Sequence, residues 1–120
     1  MRLVRVVNQS RGTLVGERVE LADTSLTRFW GLLGRREVST GGGLWIMPSS
    51  GVHTMGMRFP IDVVGLDKQM RVVKLWHRLV PFRVTSVNLK TKSVIELAAG
   101  RIRECRIEIG DVLEVTAHAS

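Results

Sequence analysis

The amino-acid sequence predicts a mainly β fold, namely a small barrel-like or curled β-sandwich of about eight short strands with one amphipathic helix. The alternative is an α+β fold. Short apolar segments recur at close spacing, separated by turn-forming stretches such as "NQSRG" and "DKQ". One segment alone has a clear helical periodicity. No repeat, linker or low-complexity tract divides the 120 residues, so we expect a single domain over residues 1–120.

The strands are expected in two hairpins and several single segments. Residues 8–12 connect the first hairpin and "DKQ" connects the second, while the Gly-rich stretch 39–43 is expected to be a loop. The segment "AAGRIREC" favours one or two helical turns before the last strand. The expected strands are Leu3–Val7, Leu14–Leu21, Leu44–Met47, Ile61–Leu66, Met70–His77, Val84–Leu89, Ser93–Leu97 and one within "IEIGDVLEVTA".

The clearest helix is predicted from Asp23 to Gly34. Asp23, or one of the hydroxyl residues that follow it, can cap the N-terminus, and Gly34 is placed to end the helix. Arg28 and Arg35 lie off or beyond the apolar stripe. That stripe has the spacing i, i+3, i+4 and i+7 and consists of Leu26, Phe29, Trp30 and Leu33.

The net charge of +7 indicates anionic partners, such as a phosphorylated ligand, an acidic protein or nucleic acid. The basic residues are dispersed singly along the chain. Tyrosine is absent and there are only three Phe and three Trp residues. Because single-strand binders combine basic residues with stacking aromatics, nucleic acid is the weaker of these alternatives.

The chain is expected to be cytoplasmic and to have no membrane partner. No apolar run approaches the roughly 18–20 residues needed to cross a bilayer. The N-terminus "MRLVRVVNQS" lacks the continuous apolar region of a signal peptide. The single cysteine, Cys105, excludes an internal disulfide and a multi-cysteine zinc site, and we interpret it as a half-buried thiol without a special role.

The stretch "GVHTMGMRFPIDVVG", residues 51–65, carries the richest chemistry. If it is extended, His53 and Met57 share an apolar face, whereas Arg58 and Asp62 share the opposite face. Imidazole and thioether groups suit copper(I). However, methionines alternating with Phe and Ile are typical of a packed core, and no second histidine supports a metal site. We therefore predict no metal and no cofactor.

Arg58, Asp62 and Glu96 support more than one interpretation. Four residues of straight strand span about 13 Å, but Pro60 favours a bend that could join Arg58 to Asp62 or aim both at one cleft. The pair is then either a structural salt bridge or a ligand contact. Glu96 lies in the apolar segment "SVIELAAG" and either pairs with Asp62 for acid–base chemistry or lies on a solvated face.

Four segments in order resemble the family numbered 192 among domains of unknown function: "ADTSLTRFWGLLGR", "GLWIMPSSGVHTMGMRFPIDVVGLD", "VIELAAG" and "IGD". The resemblance covers the chain from about Leu21 to Val115 and implies a small, mostly β domain with no established activity. This chain departs from the family's aromatic-Met-Lys-Asn-Thr run, and it has Gly65 where a large apolar residue is common. The family pattern falls on Thr24, Arg28, Gly31, Leu32, Arg35, His53, Met57, Pro60, Asp62, Glu96, Gly100, Gly110 and Asp111.

The leading functional hypothesis is a non-enzymatic binding module for a small anionic ligand or an acidic partner. Arg58 would contact the anion, and Asp62 would orient Arg58 or a ligand hydroxyl. The alternatives are a small hydrolase that uses Asp62 and Glu96 with His53, a structural or assembly role, and weak nucleic-acid binding. Whether the protein is an enzyme stays open. The expected ligand-binding residues are His53, Met57, Arg58, Asp62, Glu96, Arg28 and Arg35.

Overall fold

The computed structural model describes residues 2–23, 38–51, 53–54, 57–85 and 89–118. These residues form a single curled sheet of seven strands with the order β5-β4-β6-β3-β2-β1-β7. The prediction of a mainly β, barrel-like fold is confirmed, since the sheet is a half-barrel. The elements are β1 (Leu3–Asn8), β2 (Thr13–Ala22), β3 (Gly42–Ile46), β4 (Ile61–Leu66), β5 (Val72–Leu79), β6 (Ser93–Ala98), α1 (Arg101–Glu104) and β7 (Leu113–Ala117).

The sheet curls until its two edge strands meet over a short length. The β2 and β3 strands pair in parallel, and every other neighbouring pair is antiparallel. Arg71, just before β5, forms an isolated bridge with Val112, just before β7. The amide of Leu113 donates to the carbonyl of Met70 at 2.9 Å and strengthens this closure.

Two apolar clusters stabilise the sheet, one on each of its faces. The inner core fills the concave side and includes Val6, Val19, Leu66, Ile95, Leu97 and Ile102. The outer cluster consists of Ala22, Leu44, Ile46, Met57, Ile61, Val63 and Val94. All six residues of β4 are buried because the strand contributes to both clusters. This explains why its sequence lacks the alternation of a half-exposed strand.

The short helix α1 closes one end of the inner core. It follows Gly100, whose φ of +92° lies in the left-handed region that favours glycine. Ile102 is 1% exposed and packs in the inner core. The Arg101 guanidinium donates to the carbonyls of Leu14 and Val15 at 3.0 and 2.9 Å, which ties α1 to β2. The helical turn predicted from "AAGRIREC" is therefore confirmed.

Two sequence predictions are corrected within the described residues. Gly42 and Gly43 belong to β3 rather than to a loop. A Cβ at Gly43 would lie 2.7 Å from the carbonyl oxygen of Glu96, so the close approach of β3 to β6 requires glycine there. The expected strand Val84–Leu89 is not formed by the residues described: Val84 makes only a bridge to His53, and Leu89 lies in a turn.

The predicted helix Asp23–Gly34 cannot be compared in the same way, because residues 24–37 lie outside the described part of the chain. Arg28 and Arg35 lie outside it as well. Among the residues that are described, no helix has the length and apolar character to cross a membrane.

Candidate functional site

Asp62 is a buried hydrogen-bond acceptor at the start of β4. Its side chain is completely buried. Oδ1 accepts the amide N–H of Arg78 at 2.8 Å, and Oδ2 accepts the amides of Gly100 and Ile102 at 3.0 and 2.9 Å. These bonds join β4 to the end of β5 and to the beginning of α1. Asp62 therefore holds three segments of backbone together. The sequence had suggested that Asp62 lines a cleft with Arg58, and it does not.

Glu96 does not form a pair with Asp62. In the β4–β6 ladder Asp62 lies opposite Leu97, whereas Glu96 lies opposite Val63. Because neighbouring residues of a strand point to opposite faces, the sheet separates the two carboxylates. Glu96 is 4% exposed and shares its face with Leu44 of the outer cluster. The paired carboxylates of the hydrolase hypothesis are thus not brought together.

Met57 and His53 both lie outside the named strands and are therefore not aligned on one strand. The amide of Met57 donates to the carbonyl of Thr54 at 3.2 Å, which interrupts the alternation that the sequence suggested. Met57 is buried in the outer cluster, and Phe59 packs against that cluster. His53 is exposed, so its expected position in the core is wrong. In the described ranges, no three His, Cys, Asp or Glu side chains form a group that could hold a metal ion.

Thr54 fastens the loop of residues 80–84 to the sheet. Its side chain is completely buried. The amide of Thr54 donates to the carbonyl of Arg83 at 2.8 Å, and its carbonyl accepts the amide of Phe82 at 3.0 Å. The hydroxyl donates to the carbonyl of Val80 at 2.7 Å and accepts the amide of Arg83 at 2.9 Å. We call this set of four hydrogen bonds the Thr54 latch.

The latched 80–84 loop carries exposed apolar side chains. Phe82 is 62% exposed and Val84 is 73% exposed, while Val80 is 43% exposed. The backbone at Phe82 has a φ of +63°, which is uncommon for a bulky residue and is fixed here by the hydrogen bond from its amide to Thr54. Three of the six large hydrophobic residues that are exposed in the described structure therefore lie within five consecutive positions.

Cationic side chains surround this loop. Arg78 precedes it and Arg83 lies within it, and both are exposed. Arg58 is exposed next to Met57, whose amide shares the Thr54 carbonyl with the amide of Phe82. Within the described structure, none of these three arginines has a carboxylate at ion-pair distance. We call Arg58, Arg78 and Arg83 the cationic rim.

The distribution of charge along the chain is uneven. Residues 38–95 contain eight Lys and Arg residues and only two acids, and so carry +6 of the net charge of +7. Of those acids, Asp62 is buried, and Asp67 accepts the amides of Gln69 and Arg71 at 2.9 Å. The sequence signal for the cationic rim is therefore the net charge counted segment by segment. Our interpretation of the basic residues as dispersed overlooked this signal.

A second acidic residue of the family pattern, Asp111, also stabilises a turn. Its carboxylate accepts hydrogen bonds from Asn8 and Arg11 at 2.8 Å and from the amide of Glu108 at 2.9 Å. Burial alone raises the pKa of Asp111, but these hydrogen bonds outweigh it, and the resulting pKa lies below the ordinary value. Asp111 thus ties the β1–β2 turn to the turn before β7.

Cys105 has no features of a reactive thiol. It is 4% exposed in the inner core, and its Sγ lies 3.3 Å from the carbonyl of Leu14. Burial raises the pKa of the Cys105 thiol, and the nearby charge of Arg101 only partly opposes this effect. Since the thiolate is the reactive form, the environment disfavours nucleophilic chemistry.

A cleft of about 360 Å³ lies between residues 48–50 and residues 89–92. The amide of Ser49 joins these two segments by donating to the carbonyl of Lys92 at 2.9 Å. Thr91 is 2% exposed, and its hydroxyl has no hydrogen-bond partner in the described structure. The sequence-predicted site residues do not line this cleft. Its lining residues are Pro48, Ser49, Ser50, Leu89, Thr91 and Lys92.

Comparisons with known proteins relate this chain to one family of uncharacterised proteins. A model of the DUF192 family, described as "Uncharacterized ACR", matches residues 6–115. A UPF0127 protein of Thermococcus kodakarensis is 30% identical over 121 residues, covering 92% of this chain and 73% of the relative. A UPF0127 protein of Pyrococcus furiosus is 30% identical over 114 residues, covering 91% of this chain and 96% of the relative. The crystal structure of a protein of unknown function from Novosphingobium aromaticivorans DSM 12444 is similar with a TM-score of 0.79 and 25% identity, over 93% of this chain and 83% of that chain.

Proposed function

The chain belongs to the DUF192 family of uncharacterised proteins, and on that premise we propose that it is a non-enzymatic binding module that recognises an anionic partner. The contact surface is the cationic rim together with the 80–84 loop. Arg58, Arg78 and Arg83 contact negative groups of the partner, and guanidinium groups are suited to this because they bind carboxylates and phosphates through two parallel hydrogen bonds.

One observation carries this proposal: three exposed arginines belong to the 80–84 loop or to the chain segments that adjoin it, and the described residues supply them with no carboxylate. Among the described arginines elsewhere, Arg5, Arg11 and Arg101 have acidic partners, for example Arg5 with Glu17 at 3.1 Å. A guanidinium without a carboxylate partner keeps most of its five N–H donors for an external anion, although the Arg83 guanidinium also donates to the carbonyl of Phe82 at 3.4 Å.

The surroundings of the acidic and nucleophilic residues support binding over catalysis. The oxygens of Asp62 are engaged by backbone amides, and Glu96 lies on the other face of the sheet. Cys105 is buried with a raised pKa. General acid–base or nucleophilic chemistry requires such groups to converge at one accessible point, and the described residues do not bring them together.

Fluorescence anisotropy with a labelled oligoglutamate peptide tests the proposal. We expect the wild-type protein to bind the peptide at low salt, and the affinity to fall about tenfold or more as salt screens the exposed charges. A triple variant, Arg58→Glu, Arg78→Glu and Arg83→Glu, is expected to bind at least about tenfold more weakly, equivalent to about 1.4 kcal/mol.

A matched variant controls for net charge. Arg2, Arg18 and Arg103 are exposed arginines outside residues 38–95, and reversing them lowers the net charge by the same amount. This control is expected to retain most of the binding. An equal loss in both variants would contradict a defined surface, and absence of wild-type binding at low salt would leave a structural role. A labelled DNA oligonucleotide that binds far more tightly than the peptide would instead favour the nucleic-acid alternative.

A further inference from the structure

We propose that the anionic partner is the surface of a bilayer that contains anionic lipids. In this arrangement the 80–84 loop enters the interface and the cationic rim contacts the headgroup phosphates. The inference rests on the proposed function and names its partner. It also adds a role for apolar side chains, which a purely electrostatic contact does not require.

The first argument is the concentration of exposed apolar surface. Phe82 and Val84 are exposed for more than half of their surface, and Val80 in the same loop is 43% exposed. Scattered single apolar residues are normal on a protein surface, whereas a cluster of this kind indicates an interaction site. Side chains with so much exposure project from the surface and do not line a groove.

The second argument is that the loop is held in place. The Thr54 latch fixes the backbone of residues 80–83, and Val84 bridges to His53. Pro81 also restricts the local backbone. The apolar side chains are therefore presented in one conformation, and binding requires little additional ordering of the loop.

The third argument is charge complementarity. Arg78 and Arg83 lie directly before and within the 80–84 loop, and neither has a carboxylate at ion-pair distance among the described residues. The negative surface potential of an anionic bilayer attracts such a segment, and the boundary between headgroups and acyl chains accepts a projecting aromatic side chain. A partner protein would need a pocket matched to Phe82 and Val84, whereas a fluid interface needs none. The combination favours a bilayer.

The expectation of no membrane partner rested on the missing membrane-spanning segment. Attachment by a surface loop requires no such segment, since buried apolar side chains and electrostatic attraction together suffice for reversible binding. Salt weakens the contribution of the charged rim but has little effect on the contribution of inserted apolar side chains. Mutating the rim and mutating the loop should therefore affect binding in different ways.

Vesicle sedimentation tests this inference. The wild-type protein is expected to bind extruded phosphatidylcholine vesicles with about 30% phosphatidylglycerol, and to bind pure phosphatidylcholine vesicles about tenfold or more weakly. The double variant Phe82→Ser/Val84→Ser is expected to lose about tenfold or more of the binding to anionic vesicles. The matched variant Leu14→Ser/Ile109→Ser removes two exposed apolar side chains elsewhere and is expected to change binding by less than about twofold.

A second measurement reports insertion directly. Relative to the wild type, whose three tryptophans provide the background emission, the Phe82→Trp variant is expected to show an additional shift to shorter wavelength with anionic vesicles and additional quenching by brominated lipids. It keeps an aromatic side chain in the loop, so it remains informative if the serine variant fails to fold. Unchanged emission would overturn the insertion of the loop.

The remaining outcomes separate this inference from the proposed function. Binding to oligoglutamate without binding to vesicles overturns the bilayer assignment and leaves an acidic protein as the partner. Vesicle binding that survives Phe82→Ser/Val84→Ser overturns the role of the loop and leaves an electrostatic contact. Failure to bind either probe removes both proposals.

Discussion

Arginine residues serve different purposes in two regions of the molecule. Near the β1–β2 turn and α1, three arginines are paired with acids: Arg5 with Glu17, Arg11 with Asp111 and Glu108, and Arg101 with Glu104. Around the 80–84 loop, Arg58, Arg78 and Arg83 have no such partner among the described residues. Where the chain supplies a carboxylate, arginine connects turns and strands. Where it supplies none, as at Arg58, Arg78 and Arg83, the arginine side chain is exposed and accessible to a partner.

The largest effect is expected from Asp62, whose buried carboxylate accepts the backbone amide of Arg78 and does not pair with the Arg78 guanidinium. Asp62→Ala leaves the amides of Arg78, Gly100 and Ile102 without an acceptor. We expect a loss of about 3 kcal/mol or more in the free energy of unfolding, measured with urea. Asp67→Ala, which removes an acceptor from an exposed turn, is the control and is expected to lose about 1 kcal/mol. A stable Asp62→Ala protein with altered peptide binding would instead show that Asp62 balances the cationic rim.

The next effect concerns the Thr54 latch. Thr54→Val keeps the shape of the side chain but removes the hydroxyl that bonds to Val80 and Arg83. We expect the free energy of unfolding to fall by about 2 kcal/mol, because the buried carbonyl and amide lose their partner. Hydrogen exchange of the amides of residues 82 and 83 should accelerate more than that of the β4 amides. Uniform acceleration would mean that the latch stabilises the whole sheet and not the loop.

A smaller effect on stability, which depends on pH, is expected in the region where arginines are paired with acids. The pKa of Asp111 is lowered in the folded protein, so its ionised form stabilises the fold. This contribution is complete above the unfolded pKa of about 3.9 and disappears as the pH falls through the lower folded pKa. The stability difference between wild type and Asp111→Asn, measured by urea unfolding, should therefore shrink as the pH is lowered through this range. A difference that is independent of pH would assign the role of Asp111 to packing.

The smallest effect sharpens the contrast between the two sets of arginines. Arg58→Ala and Arg83→Ala remove exposed side chains without an acidic partner, and we expect the free energy of unfolding to change by less than about 0.5 kcal/mol. Arg11→Ala removes a hydrogen bond to Asp111, so it should lower the free energy of unfolding more than either of these variants, as measured by urea unfolding. Equal effects would mean that the cationic rim contributes to the fold as the paired arginines do.

Much of the sheet follows from local patterns in the sequence. The two predicted hairpins appear as β1–β2 and β4–β5, and Met57, Phe59, Ile61 and Val63 share one apolar cluster as their spacing indicates. On the opposite face of β4, Asp62 was expected to pair with Arg58 or to contact a ligand, yet it is completely buried there. Curling of the sheet encloses that face, and curvature depends on contacts between distant strands rather than on the pattern within one strand.

The candidate site was less accessible to prediction because its contacts join distant residues. The alternation assigned to His53 is interrupted where the amide of Met57 donates to the carbonyl of Thr54. Thr54 was not recognised, since its partners lie up to 29 positions away and an isolated threonine has no sequence signature. Arg58 was identified from its charge, whereas its association with Phe82 and Arg83 depends on the latch.

The hydrogen bonds of Asp62 also have a consequence for folding kinetics. They join residues separated by 16, 38 and 40 positions, so three chain segments must be in place before the carboxylate is satisfied. Closing such loops costs conformational entropy before any bond forms, which favours their formation late in folding. A substitution at Asp62 should therefore mainly accelerate unfolding and leave the folding rate nearly unchanged. The carboxylate would thereby determine how long the native state lasts rather than how quickly it is reached.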